Sequence, residues 1–381
     1  MAGIYIHIPF CDKACHYCDF HFSTTFSAYR NDLIEALLAE LKLRECEVDD
    51  TIQSIYFGGG TPSVLTLEEW KKFFTYFKER GYLRSALEVT VEVNPDHLDK
   101  VYLKGLKDLG VNRLSVGVQS FHNEVLTKMN RSHDSEKALK GLNTAKEVGF
   151  DNITLDLIYG VPFQSTEQLN ENLDIIESLS IPHISAYQLT IEENTVFGSW
   201  KKQGKLLELE DEDCLSQFKL VRNRLIEMGY QHYEVSNFAK PGSKAVHNSS
   251  YWNQVKYIGI GPGAHSFQKG DASQSSFRHW NIANNKQYIK SIQSSVLPTE
   301  QEELGLKDQF NEAILLGLRQ LDTGINIEEM ETVFPVYWKS TQDDLKLFLS
   351  QKDLKLDDNR IKLSEKGVFV IDYITSELFV L

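Results

Sequence analysis

No apolar run in the 381-residue chain approaches the ~20 residues that a membrane-spanning helix needs. Behind Met1-Ala2-Gly3-Ile4-Tyr5 there is neither a basic stretch nor a long apolar one, so a secretory leader is not expected. Positive charge is in deficit: 40 Lys and Arg face 54 Asp and Glu, a net charge of −14. That balance disfavours nucleic acid as a partner, because such binding draws its affinity from phosphate neutralisation. Cysteine is scarce and odd in number, five in all, which argues against a disulfide framework. These absences together point to a soluble, cytoplasmic protein. What is present is ordinary for a globular chain, with 41% hydrophobic and 25% charged residues. A chain this long buries roughly three quarters of its extended surface, enough for a large core and a smaller satellite.

Through about residue 190, short β-branched runs alternate with amphipathic stretches. The runs are Ile4–Pro9, Ser54–Phe57, Leu87–Val93, Arg113–Val118, Ile153–Ile158 and His183–Leu189. Between them, Asn31–Leu43, Leu67–Lys78, Leu98–Leu109 and Glu167–Leu179 have helical spacing. Strands apolar on both faces and joined by helical crossovers predict an α/β fold with a parallel sheet. Six such units suit a partial (β/α)6 barrel of the TIM type, with a doubly wound open sheet as the other arrangement. Residues 1–232 are expected to form this core. Residues 233–298 change character: they are rich in aromatics and Asn and include loop-like stretches at 240–244 and 270–276. After a linker at Ser294–Pro298, residues 299–381 read as helices followed by a strand pair, Leu356–Asn359 and Ile361–Leu363. That order predicts a small winged-helix-like α+β domain. With 17 acids against 9 bases from Glu300 onwards, it suits packing or lid duty better than DNA.

Three of the five cysteines crowd into eight residues just after the first strand: Cys11, Cys15 and Cys18. Cys46 and Cys214 stand apart and read as small buried hydrophobes. A structural zinc site would need a fourth ligand, from His7, His16 or His21. A [4Fe–4S] cluster on three thiolates keeps one iron open, and an amine with a neighbouring carboxylate can chelate that iron. Other polar features sit at the ends of later strands. Gly58-Gly59-Gly60-Thr61-Pro62 follows the second, where glycines let the backbone approach a ligand closely. Glu92 interrupts the third strand, Gln119 ends the fourth and Asp156 interrupts the fifth. Singly, each would pass for a turn or a structural hydrogen bond. Converging on one barrel mouth, they read as a binding site.

The C-x3-C-x2-C spacing, with Tyr17 before the third cysteine, resembles the radical S-adenosylmethionine (SAM) superfamily. The resemblance implies that the cluster reduces SAM to methionine and a 5′-deoxyadenosyl radical. Ile6-His7-Ile8-Pro9-Phe10-Cys11, GGGTP, VEVNP, GVQS and DLIYGVP, in that order, are similar to the oxygen-independent coproporphyrinogen III oxidase group over nearly the whole chain. It implies Cys11, Cys15 and Cys18 as cluster ligands, and Tyr5, Gly59, Gly60, Thr61, Glu92, Gln119, Arg131 and Asp156 as SAM contacts. Two departures separate the chain from the true oxidases. Phe20 stands where they carry a further cysteine, and Cys11 lies near the start, where they have a long extension. Both traits, and His247-Asn248-Ser249-Ser250-Tyr251-Trp252, resemble the HemW-type heme chaperones. The implied function is to bind heme, with His247 as iron ligand, and deliver it to apo-hemoproteins, membrane-bound respiratory ones among them. Oxidative decarboxylation of coproporphyrinogen III is the alternative, and a homodimer is compatible with either. Catalytic SAM cleavage stays open on these residues.

Overall fold

The computed structural model describes residues 2–48, 51–270 and 275–381. Met1 and most of the loop expected at 270–276, residues 271–274, lie outside the described residues. The six β-branched runs form strands β1 (Ala2–Ile8), β2 (Ile52–Gly59), β3 (Glu88–Val93), β4 (Arg113–Gln119), β5 (Asn152–Tyr159) and β6 (His183–Gln188). They pair parallel in chain order, β1 through β6. Helices return the chain between them, including Arg30–Leu43, Leu67–Glu79, Lys100–Leu109, Ser135–Val148 and Thr166–Leu179. Several begin where the sequence supplies a cap. Thr66 and Glu69 form a reciprocal capping box, as do Ser165 and Gln168.

The remaining strands are β7 (Gln231–Glu234), β8 (Asn237–Ala239), β9 (Lys256–Ile260), β10 (His265–Gln268), β11 (Ser276–Asn281) and β12 (Thr299–Leu304). The full order is β12-β11-β10-β9-β1-β2-β3-β4-β5-β6-β8-β7. Because β9 takes the free side of β1 and β8 that of β6, these two strands do not pair with each other among the described residues. The barrel is therefore partial. The stretch read as the start of the C-terminal domain proves to be sheet edge, since Thr299–Leu304 pairs antiparallel with β11.

The core is continuous from β1 to the C-terminal helices. Under β2, Phe57 meets Trp70 edge-on at 4.7 Å and Phe73 at 5.7 Å. Burying each such ring contributes roughly 1.5–3 kcal/mol. A buried polar knot joins the flank to the first helix. Arg44 donates to the Gly259 carbonyl at 2.7 Å and to Glu40 at 3.3 Å, and Glu40 accepts from Tyr288 at 2.6 Å and from the Gly261 amide at 2.8 Å. The C-terminal unit contains the expected hairpin, shifted to Leu354–Asp357 and Arg360–Leu363, with Ile325–Asn326 as a third strand. Two helices follow the wing, Glu365–Phe369 and Ile371–Leu378, where the sequence pattern suggests only the strand pair.

Candidate functional site

The loop leaving β1 carries the three cysteines and is pinned at both ends. At its base, the Cys11 amide donates to the Ser23 carbonyl at 3.1 Å and the Ser23 amide to Pro9 at 2.9 Å. Its far side is tied to the segment after β4. The His16 amide donates to Met129 at 3.1 Å, and Asn130 Nδ2 donates to the Ala14 carbonyl at 2.7 Å. Tyr17 packs on a small apolar cluster that includes Val125, Met129, Ile158 and Phe197. The loop's position is thus set by protein contacts.

The strand ends and this loop enclose a cavity of about 450 Å³, lined among others by Cys11, Cys15, Cys18, Glu92, Arg131 and Asp156. Gly59, Gly60, Thr61 and Gln119 line it too. All three thiols are free. Burial pushes Cys11 up to about 12, against the pull of its hydrogen bond from Thr61 Oγ1 at 3.4 Å. Burial likewise pushes Cys18 up to about 11. Arg131 Nη1 lies 3.2 Å from Cys15 Sγ, and its Nη2 donates to the Gly117 carbonyl at 2.6 Å. A Cβ on Gly60 would stand 2.6 Å from the Phe10 carbonyl oxygen and 3.0 Å from Cys11 Sγ, so only glycine fits against this loop.

Glu92 accepts from Tyr56 Oη at 2.8 Å and from the Gly59 amide at 3.1 Å, yet burial still raises its carboxyl to about 7. Burial also raises Asp156 to about 7. Gln119 sits at φ +70° beside a register slip between β4 and β5, and its buried Oε1 has no hydrogen-bond partner among the described residues. Arg131 Nε is likewise unpartnered. Thiols, orphaned polar atoms and a glycine-lined wall fit a thiolate-bound iron–sulfur group with a polar organic ligand beside it. Among the described residues, no three or more His, Cys, Asp or Glu side chains are gathered as for a single metal ion.

Two expected site residues lie elsewhere. Tyr5 lines a neighbouring cavity of about 440 Å³, together with His7, Phe20, His21, Tyr257 and His265. This second cavity shares Phe20, Gly59 and Glu92 with the first. His247, expected to ligate heme iron, is only 2% exposed. Its Nδ1 is hydrogen-bonded to Ser54 Oγ at 2.8 Å and its Nε2 to Tyr251 Oη at 2.9 Å. Burial lowers its pKa to about 3. As folded, His247 offers no open nitrogen to iron, and its ring serves packing between Tyr5 and Tyr56. The sequence reading also passed over Tyr56, Tyr187 and Gln188. The last two line the first cavity at the end of β6, where the rule that barrel chemistry sits at carboxyl strand ends would have found them.

Residues 5–176 match the Radical SAM superfamily and residues 304–370 the HemN C-terminal domain. The heme chaperone HemW of Lactococcus lactis is 36% identical over 369 residues, covering 95% of this chain and 93% of that protein. The mitochondrial radical S-adenosyl methionine domain-containing protein 1 of Danio rerio is 31% identical over 383 residues, covering 98% and 86%. Among solved structures, the coproporphyrinogen III oxidase HemN of Escherichia coli matches with a TM-score of 0.82 at 23% identity, over 99% of this chain and 89% of that one. That likeness speaks to the fold. Similarity to HemW spans almost the full length of both chains, and on that ground this chain belongs to the radical SAM superfamily and, within it, to the HemW family.

Proposed function

We propose that this chain is a heme carrier: it binds heme and delivers it to apo-hemoproteins, with a [4Fe–4S] cluster and SAM in the barrel mouth. The observation that carries the reading is the 36% identity, over 95% of the chain, to a protein named heme chaperone. Cys11, Cys15 and Cys18 would hold the cluster, which when bound supplies one-electron reduction of SAM. Glu92 and the Gly59–Gly60 backbone would orient an amino-acid end, while Gln119, Arg131 and Asp156 offer polar groups further along the same wall. Phe20 supports the carrier over the oxidase. It is 69% exposed at the rim and has neither thiol nor hydrogen-bond donor for a propionate. Decarboxylation would need that group held near the reacting carbon, where a misplacement of about 1 Å costs on the order of a hundredfold in rate.

The test divides one anaerobically reconstituted preparation between two assays. About four irons and four sulfides per chain are expected, lost on replacing any of the three cysteines by Ala. One portion receives hemin and then an apo-hemoprotein acceptor. The other receives coproporphyrinogen III, SAM and reductant. Retention and transfer of hemin without decarboxylation supports the carrier. Protoporphyrinogen formed over multiple turnovers, with no hemin retained, moves the function to the oxidase.

A further inference from the structure

We propose that His265, on the first residue of β10, is the ligand that captures heme iron in the cavity adjoining the cluster site. The inference rests on the heme-carrier reading and names the residue through which it works. The chain has eleven histidines. Ten commit a ring nitrogen to a hydrogen bond: His7, His16, His21, His97, His122, His133, His183, His232, His247 and His279. Among the described residues, His265 alone makes none.

Its ring is nonetheless held. His265 lies opposite Trp280 in the β10–β11 register, and the two rings stack at 5.7 Å with an interplanar angle of 26°. Aromatic cross-strand pairing fixes the imidazole plane without using a nitrogen, so the lone pair stays available. The side chain is exposed and lines the cavity of about 440 Å³. That volume falls within the ~300–1,000 Å³ typical of sites for organic ligands. Tyr5, Tyr251, Tyr257 and Phe20 supply aromatic walls suited to a flat macrocycle.

The other histidines on this cavity are less available. His7 is bonded to Tyr5 Oη at 3.1 Å and to the His21 carbonyl at 2.9 Å, and His21 Nε2 is spent on Asn285 Oδ1 at 2.7 Å. Partial desolvation where the ring packs on its neighbours, with Arg278 nearby, lowers the pKa of His265, which favours the neutral form that binds metal. The bond is a coordinate one from the ring nitrogen to iron, and no electron or co-reactant is consumed.

The experiment titrates the full-length protein with hemin and follows the Soret band, comparing wild type with His265→Ala, His265→Gln and His247→Ala. Both His265 variants should bind hemin about tenfold or more weakly and shift the band, since an axial ligand is gone. Free imidazole should restore the wild-type spectrum in His265→Ala, with melting temperature and cluster content unchanged. His247→Ala should keep the wild-type band position. Wild-type Soret position and affinity in both His265 variants would sink the assignment while leaving the carrier reading intact. Loss of hemin without imidazole rescue and with a fallen melting temperature would also overturn it, by making His265 structural. A wild-type protein that takes up no hemin brings down both.

Discussion

Glu92 lines both cavities, and its protonation bears on the polar ligand proposed beside the cysteine loop. With a carboxyl at about 7, the residue is mostly neutral at pH 6 and mostly ionised at pH 8. An amine held on the open iron keeps its N–H groups as donors and these favour the ionised carboxylate, so SAM affinity should rise about tenfold between those pH values, and Glu92→Gln should flatten the dependence while retaining the cluster. Equilibrium binding at the two pH values checks this. Without SAM the sign is opposite for stability. The native state keeps its proton longer than the unfolded chain, so stability is lost as pH rises from an exposed carboxylate's range to about 7. The difference in melting temperature between Glu92→Gln and wild type should widen across that window. His247 shows where residue-scale reading stopped. The HNxxYW pattern marks a His among aromatics, but only the fold shows Ser54 and Tyr251 closing on both nitrogens. His247→Ala should therefore cost about 1–3 kcal/mol through the unsatisfied groups it leaves, seen as a lower denaturation midpoint.

At the scale of elements, the six parallel strands were legible because each is a largely apolar run that is buried over most of its length. The flanking strands were not: β7 and β10 have four residues each, and all of β7, β10 and β12 are mostly polar and antiparallel, without the apolar run that marks the central strands. The cysteine loop depends on neighbours remote in sequence, for it is fastened to Met129, Asn130 and Arg131. Replacing Arg131 by Met should leave the fold intact but lower iron retention after reconstitution, because Cys15 loses its charge-assisted partner. The knot around Glu40 ties the flank to the first helix. Arg44→Ala should cost about 3–5 kcal/mol, measured by chemical denaturation, since it strands a buried carboxylate.

Across the whole molecule, protection should follow the sheet from its centre outwards. Amides of β2 to β5 should exchange hydrogen most slowly and those of β12 fastest, as native-state exchange would record. The outermost strand is also where one molecule could pass into another. An open strand edge is a template on which a second chain can add its own, and β12 offers five exposed residues in a row. Three of its six residues are Glu300, Glu302 and Glu303, so two such edges brought together would repel. The acidic strand works as a guard against fibrillar stacking: a triple Val replacement there should leave the fold unchanged and turn a clear solution turbid by light scattering.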